Sequence, residues 1–235
     1  MASETKDRIL DVAERLFADR GYPATSLRDI TAEAGVNLAS VNYHFGTKES
    51  LLAALLERRF APTNRRRLEL LDALEAEAGE GRPRIEDVLR AFLAPPFERQ
   101  QEWGEGGRTF LRLVGRLHAE TNDEHRATYL RHFEEIRRRF TAAVHRALPH
   151  LDAGDVHWRM MFLIGSMALA MAEGLTPRPG GPPPRDPEEV FDALLSFAVG
   201  GVAAPSPARV PVVAGRAGGP GTVVTGEQIS AAHGR

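Results

Sequence analysis

Apolar residues recur every three or four positions along most of this chain, which is the spacing of amphipathic helices. The first stripe, in a predicted helix over residues 4–20, consists of Ile9, Val12, Ala13, Leu16 and Phe17. Similar stripes predict helices over residues 27–34, 38–45, 48–61, 63–78, 85–94, 108–120, 124–148, 155–175 and 190–202. No segment alternates convincingly between apolar and polar positions, so the sequence predicts an all-α fold.

Polar residues that can cap a helix precede several of these stripes. Ser26 precedes the second helix and forms a loose capping box with Asp29. Asn37 and Thr47 precede the third and fourth helices, and Asp186 precedes the last. These positions predict where four of the helices begin.

Proline and glycine set the expected helix limits. Pro62 should kink the chain or open a new helix, because its ring removes a backbone donor. Pro95 and Pro96 should end one helix, and the glycine-rich segment 102–107 should separate it from the next. Residues 177–185 read as an extended loop.

Composition excludes several classes of protein. The 235 residues carry a net charge of −2 and include no cysteine, so disulfides and thiolate metal sites are ruled out. The longest apolar run, residues 160–172, is too short to cross a bilayer. The N-terminal residues lack the pattern of a secretory signal. We therefore expect a cytoplasmic protein that does not enter a membrane.

Residues 27–45, LRDITAEAGVNLASVNYHF, combine two short helices with a glycine-containing turn. This helix-turn-helix order can place the second helix in the major groove of DNA. The apolar positions of that helix should pack inward, which leaves its outward face to Leu38, Ser40, Asn42 and Tyr43.

Over residues 9–52 the chain resembles the DNA-binding domain of the TetR family of transcriptional regulators. The resemblance rests on ILDVAERLFADRGYPATSLRDITAEAGV and NYHFGTKESLL, whose turns, caps and apolar positions agree with the family. It implies an N-terminal helix-turn-helix DNA-binding domain over residues 1–47. It also implies a larger helical domain over residues 48–203, which binds a small ligand and dimerises through its last two helices. Residues 204–235 are rich in Pro and Gly, and we expect a disordered tail there.

The resemblance also implies a set of DNA-binding residues. They are Thr25, Ser26, Arg28, Leu38, Ser40, Asn42, Tyr43, His44 and Lys48. Those at helix N-termini would bind phosphates of a near-palindromic double-stranded operator. Asn42 stands where the family often has Tyr, and Asn can bond adenine through two hydrogen bonds. The first 50 residues hold six Lys/Arg and eight Asp/Glu, so we expect few neutralised phosphates and a modest salt dependence.

In the larger domain, the resemblance assigns a set of apolar residues to a ligand pocket. They are Phe110, Leu113, Leu117, Phe133, Ile136, Trp158, Met161 and Phe162. A finer resemblance, in GVNLASVNYHFGTKESL and HWRMMFLIGSMALAMA, is to a subgroup that includes fatty-acid-responsive regulators. A fatty acid or acyl-CoA effector follows from it as a hypothesis. Small residues at Gly165, Ser166, Ala168 and Ala170 should allow a partner helix to approach closely.

The resulting hypothesis is a homodimeric repressor that a small apolar effector releases from its operator. An activator would use the same DNA-binding domain. A third possibility is a DNA-bound protein of this fold that binds a protein partner in place of a small molecule. No catalytic constellation is readable, so we expect neither an enzyme nor a cofactor.

Two further clusters have simpler interpretations. His125, Tyr129 and His132 share a helix face, but no carboxylate at ligand spacing completes a metal site. The run of arginines at 65–67 is interpreted as a solvated helix face paired with Glu69 and Asp72.

Overall fold

Helices make up all the regular structure that the computed structural model describes, which covers residues 2–119, 127, 129–173 and 185–206. They are α1 Ala2–Arg20, α2 Leu27–Ala34, α3 Leu38–His44, α4 Lys48–Ala78, α5 Ile85–Ala119, α6 Glu134–Ala147, α7 Ala153–Glu173 and α8 Pro187–Ala203. These ranges contain no strand, and the predicted all-α class is confirmed.

The predicted caps are present. Ser26, Asn37, Thr47 and Asp186 each accept a backbone N–H from two or three residues further along the chain. Asp29 closes a reciprocal capping box by accepting the backbone N–H of Ser26 at 2.8 Å. Each cap satisfies a backbone donor that the first helical turn leaves free, at a gain of about 1 kcal/mol. The starts of α2, α3, α4 and α8 are therefore encoded locally.

The helix α4 runs without interruption through Pro62, so a new helix does not open there. Buried residues lie on both sides of the proline: Leu51, Leu52, Leu55, Leu56, Thr63, Arg67 and Leu71. Because both parts of α4 pack against the rest of the protein, burial offsets the hydrogen bond that the proline ring removes.

The helix α5 likewise continues through Pro95, Pro96 and the glycine-rich segment 102–107, so the two predicted helix limits are wrong. Phe92 and Phe97 flank the prolines and are both buried. The carbonyl of Phe92 would normally accept a hydrogen bond from residue 96, and a side chain from α4 replaces the donor that Pro96 lacks. Tertiary packing has overridden the local signal.

A turn at His132 and Phe133 interrupts the helix predicted over residues 124–148. There the His132 carbonyl accepts a hydrogen bond from Asn64 Nδ2 at 2.7 Å. A side chain of α4 thus bonds a carbonyl that an uninterrupted helix would use internally. Most of the loop predicted over 177–185 and of the tail predicted over 204–235 lies outside the described residues.

Buried apolar side chains form two clusters. The first core joins α1, α2, α3, the first part of α4 and the last part of α5, and includes Leu16, Ile30, Val41, Leu55 and Leu113. The second core joins the remainder of α4 and α5 to α6, α7 and α8, and includes Leu71, Phe92, Phe140, Leu163 and Leu195. Both α4 and α5 therefore contribute to both cores.

None of the helices in the described ranges is long and apolar enough to cross a bilayer.

Candidate nucleic-acid interface

The turn between α2 and α3 is set by Gly35. Its backbone has φ 62° and ψ 38°, the left-handed region that glycine adopts without steric cost. The N–H groups of Gly35 and Val36 both donate to the carbonyl of Thr31, the second over 3.1 Å. These two hydrogen bonds to one carbonyl end α2 and direct the chain into α3.

The short helix α3 is fixed on its inner face and open on its outer face. Val41 is fully buried in the first core, and Phe45 beyond the helix end is 9% exposed. On the outer face the Tyr43 side chain is 85% exposed, and Asn42 and Leu38 are also exposed. The inner contacts hold α3 in place, so its outer side chains are available to another molecule.

Ser40 and His44 occupy the edges of this face. Ser40 is half-buried and donates its backbone N–H and its hydroxyl to Asn37 Oδ1, at 2.8 and 2.9 Å. His44 is also half-buried, and its ring lies between those of Tyr43 and Phe45. The Ser40 hydroxyl proton is thus bonded to the capping residue Asn37, while the lone pairs of the hydroxyl still allow it to accept a hydrogen bond.

At the start of α2, the structure corrects the prediction for Thr25. Its side chain is 1% exposed, and its hydroxyl donates towards the carbonyls of Gly21 at 2.9 Å and Leu16 at 3.3 Å. The Thr25 hydroxyl is therefore hydrogen-bonded to the end of α1 and to the residue after it, and it cannot reach a phosphate. Ser26 and Arg28 are exposed, as a phosphate contact requires.

At the start of α4, Lys48 lies on an aromatic ring. Its Nζ is 4.2 Å from the centre of the Tyr22 ring, and burial lowers the pKa of the lysine. The Tyr22 hydroxyl donates to Glu49 Oε1 at 3.1 Å. Tyr22 thus orients both charged residues of the first turn, a role that the helical periodicity of the sequence did not indicate.

Acidic groups lie beside these cations. Hydrogen bonds from the hydroxyl and the backbone N–H of Ser26 lower the pKa of Asp29. The pKa of Glu49 is lowered chiefly by a hydrogen bond from its own backbone N–H. Both carboxylates therefore favour the ionised form, and Lys48 stabilises each of them further. A polyanion at this surface would depend on helix N-termini and a few cations more than on net positive charge.

The residues predicted to form one ligand pocket are divided between three places. Phe110, Leu113 and Leu117 are buried in the first core, with Phe133 at its edge. Ile136 is buried in the second core.

The remaining three pocket candidates, Trp158, Met161 and Phe162, lie on the surface of α7 and are 59%, 37% and 65% exposed. The opposite face of α7 is buried through Val156, Met160 and Leu163. A helix that is apolar on both faces needs two partners, which the sequence could have indicated. The pocket prediction is thus corrected for these residues.

Phe60 on α4 is at the centre of an aromatic cluster that the helical periodicity does not indicate. Its ring centre lies 5.0 Å from that of Phe110 and 4.6 Å from that of Phe133, both at steep interplanar angles. Tyr129 completes the cluster, with its ring centre 5.8 Å from that of Phe60. The cluster joins α4 to α5 and to the segment before α6.

The arginine run at 65–67 is only partly solvated. Arg66 is exposed and lies 3.6 Å from a carboxylate oxygen of Glu69, as predicted. Arg67, in contrast, is 2% exposed, and Asp72 pairs with Arg139 instead of with the run. Among the described residues, no group of three or more His, Asp or Glu side chains is arranged to hold a metal ion.

Two family models match the chain. The model described as bacterial regulatory proteins, tetR family, matches residues 9–55. The model described as tetracyclin repressor-like, C-terminal domain, matches residues 90–201. The first match includes the helix-turn-helix, and the second covers most of the helices that follow α4.

An HTH-type transcriptional repressor of Mycobacterium tuberculosis is 50% identical over 54 residues, which are 23% of this chain and 29% of that protein. The chain thus spans less than a third of the length of the curated relatives it matches. Among solved structures, a TetR-family regulator of Streptomyces coelicolor is 24% identical, with a TM-score of 0.57 over 86% of this chain and 90% of that one. The fatty acid degradation regulator FadR of Bacillus halodurans is 14% identical, with a TM-score of 0.57 over 84% and 95%. At these identities, the solved structures show a shared fold.

Proposed function

We propose that this chain, which belongs to the TetR family of transcriptional regulators, is a homodimeric repressor that binds DNA through α3 and leaves it when an effector binds. The family consists of DNA-binding regulators and not of enzymes. The observation that carries the proposal is the contrast within α3, where Val41 is fully buried and Tyr43 is 85% exposed. A short helix fixed on one side and open on the other suits insertion into a major groove.

The proposed contacts divide into two groups. Leu38, Ser40, Asn42 and Tyr43 lie on or beside the exposed face of α3, where they would meet base edges and the adjoining backbone. Phosphates would be bound by Ser26, Arg28 and Lys48 at the starts of α2 and α4, and by His44 at the end of α3. Thr25 is left out because its hydroxyl is bonded within the protein.

The exposed apolar face of α7 and α8 supports a homodimer. Trp158, Phe162 and Leu169 on α7 and Phe197 on α8 are each more than half exposed. Large apolar side chains this exposed on two neighbouring helices are typical of a protein interface. In the proposed dimer, the two copies of α3 would enter successive major grooves of a near-palindromic operator, about 34–36 Å apart.

Contacts between α5 and α1 offer a route from the effector to the DNA. Arg112 pairs with the Asp19 carboxylate at 3.0 Å, and Arg116 donates to the Asp19 carbonyl at 3.1 Å. An effector that moved α5 would therefore displace α1 and the DNA-binding helices. It must bind better to the state that cannot hold DNA, and a coupling of about 1–3 kcal/mol would weaken DNA binding about 5–150-fold. An apolar molecule such as a fatty acid or acyl-CoA is our working hypothesis.

The test begins with selection of the preferred DNA site from a random pool by the wild-type protein. Tyr43→Ala should weaken binding to that site by more than about tenfold, because it removes a side chain of α3 that is 85% exposed. Arg138→Ala, an exposed substitution on α6, is the matched control and should bind normally. Circular dichroism and molar mass must show both variants folded and assembled as the wild type. Unchanged affinity of Tyr43→Ala would overturn the proposal.

A further inference from the structure

Arg67 is a buried cation in the part of the protein assigned to effector binding. It lies in the second half of α4, and its side chain is 2% exposed. Leu71, one turn further along the same helix, is fully buried in the second core. A guanidinium in such surroundings has lost nearly all its contact with water.

Part of the guanidinium has a clear structural role. Its Nε–H donates to the carbonyl of Phe92 at 2.9 Å, which replaces the helical donor missing at Pro96. That role requires a single N–H group and no charge. The sequence nevertheless places a full positive charge at this position.

The outer edge of the guanidinium is only weakly satisfied. Its Nη1 donates to Asn64 Oδ1 at 3.1 Å, and its Nη2 lies 3.7 Å from the sulfur of Met167. The Phe92 ring centre lies 4.4 Å from the guanidinium carbon. No carboxylate among the described residues pairs with Arg67, and a guanidinium has five N–H donors to satisfy.

A buried charge without a counter-ion is costly, and proteins commonly keep such a group for a function. Burial lowers the pKa of Arg67 to about 10, so the side chain still carries its charge at neutral pH. The nearby Tyr129 hydroxyl cannot neutralise it there, because burial raises the pKa of that hydroxyl to about 12. The missing negative charge must come from elsewhere.

We infer that Arg67 binds the anionic head group of the effector, and that the effector is an amphiphile with a single carboxylate. The inference rests on the proposed function and makes its effector more specific. A carboxylate can accept two parallel hydrogen bonds from a guanidinium, and one negative charge balances the one positive charge. The neighbouring Phe92 and Met167 side chains suit an apolar chain attached to that carboxylate.

The location of Arg67 connects this head-group site to the DNA-binding helices. Arg67 and Lys48 lie on the same helix, about 28 Å apart along its axis at 1.5 Å per residue. Asn64, which bonds Arg67, also donates to the His132 carbonyl at the turn before α6. A carboxylate that competes for the guanidinium would therefore disturb contacts of α4 with both α5 and the segment before α6.

Isothermal titration of the full-length protein with decanoate, decanol and decylammonium separates the charge of the head group from the apolar chain. Wild type should bind decanoate at least about tenfold more tightly than decanol, and decylammonium no more tightly than decanol. Octanoate and myristate extend the series to shorter and longer apolar chains. Decanoyl-CoA, whose thioester has no charge at that position, should not reproduce the advantage of the free acid.

Arg67→Gln is the matched neutral variant, because the glutamine amide nitrogen occupies the place of Nε and can keep the bond to Phe92. It should lose the preference for decanoate over decanol and bind decanol as the wild type does. Arg67→Lys keeps the charge and should keep part of the preference. The inference is overturned if Arg67→Gln retains the preference, or if wild type shows none for any of the three acids.

A measurement on the wild type alone covers the case in which a variant fails to fold. The chemical shift of the ¹³C-labelled carboxyl carbon reports the pKa of bound decanoate. That pKa should lie below the pKa of the free acid, because the guanidinium stabilises the carboxylate. An apolar site without Arg67 contact would raise that pKa instead, which would overturn the inference. All these measurements are made without DNA. A missing carboxylate preference beside intact DNA binding would overturn only the inference about Arg67. Absent DNA binding beside an intact preference would overturn only the proposed function.

Discussion

The Nε–H of Arg67 on α4 donates to the carbonyl oxygen of Phe92 on α5, with 2.9 Å between the nitrogen and the oxygen. Within a regular helix, that carbonyl would accept from residue 96, which is Pro96 and has no N–H. A side chain far away in the sequence therefore supplies the hydrogen bond that Pro96 cannot donate. This contact explains how Pro96 is accommodated inside a helix.

The contact predicts a difference between two neutral variants of similar size. Arg67→Met leaves the Phe92 carbonyl without a donor, whereas Arg67→Gln supplies one. We expect Arg67→Met to have a free energy of unfolding lower than that of Arg67→Gln by about 1–3 kcal/mol, measured by urea denaturation. Arg66→Met, at the exposed neighbouring position, should stay within about 0.5 kcal/mol of wild type. Equal stability of the two Arg67 variants would contradict this role of the Nε–H group.

Thr25 and Ser26 are adjacent and should behave differently. Thr25→Val removes a buried hydroxyl from two carbonyls and should lower the free energy of unfolding by about 1–3 kcal/mol. Its operator affinity should remain near wild type while the protein is folded. Ser26→Ala should lose about 1 kcal/mol of capping stability and also weaken DNA binding. Chemical denaturation and fluorescence anisotropy with the selected site measure the two quantities, and a folded Thr25→Val with weak DNA binding would restore Thr25 as a contact.

Asn42 is exposed on α3, so its replacement should change sequence preference without changing stability. Asn42→Tyr introduces the residue that the family often carries and removes an amide able to form two bonds to adenine. Discrimination at the affected base pair should change by about 1–3 kcal/mol. Parallel site selection with both proteins measures this change, and identical preferred sites would show that Asn42 does not contact a base.

The exposed face of α7 predicts that charge will disrupt the dimer. Phe162→Glu places a carboxylate on a side chain that is 65% exposed in the single chain and would be buried in the proposed interface. Sedimentation should show a monomer, with weak binding to a palindromic site. Arg138→Glu, on the exposed surface of α6, should leave the dimer intact. A Phe162→Glu protein that remains a dimer would place the interface elsewhere.

Tyr129 predicts a stability change at alkaline pH. Burial raises its pKa to about 12, above the ordinary value of 10.0. The unfolded state releases the proton first, so stability from this group is present below pH 10 and falls by about 1.4 kcal/mol per pH unit until the folded protein also titrates. The stability of wild type relative to Tyr129→Phe should fall over that window, measured by urea unfolding at several pH values. A difference independent of pH would contradict the raised pKa.

Features that depend on a few neighbouring residues were predictable from the sequence. The caps at Ser26, Asn37 and Thr47 need only a side chain and a backbone N–H three residues away, and the structure contains all three. The inward positions of α3 also follow from helical spacing, which Val41 confirms. The family could be recognised because such local features combine in one fixed order over residues 9–52.

Features that depend on distant contacts were not predictable. Nothing near Pro96 indicates that Arg67 will satisfy the Phe92 carbonyl. Periodicity also cannot tell which of two apolar faces of α7 is buried within the chain, so Trp158 and Phe162 were assigned to a pocket. The burial of Thr25 depends on the packing of α1 against the start of α2, which a cap motif does not reveal.

Pro62 gives α4 an uneven stiffness along its length. The missing N–H leaves the carbonyl of Arg58 without its helical donor, between two firmly held points. On the N-terminal side of Pro62, Arg59 donates to buried Glu14 of α1 at 2.7 Å. On its C-terminal side, Arg67 is bonded to Phe92 of α5. A change in angle between the halves would therefore concentrate at the proline, so that one half of α4 can follow α1 while the other follows α5.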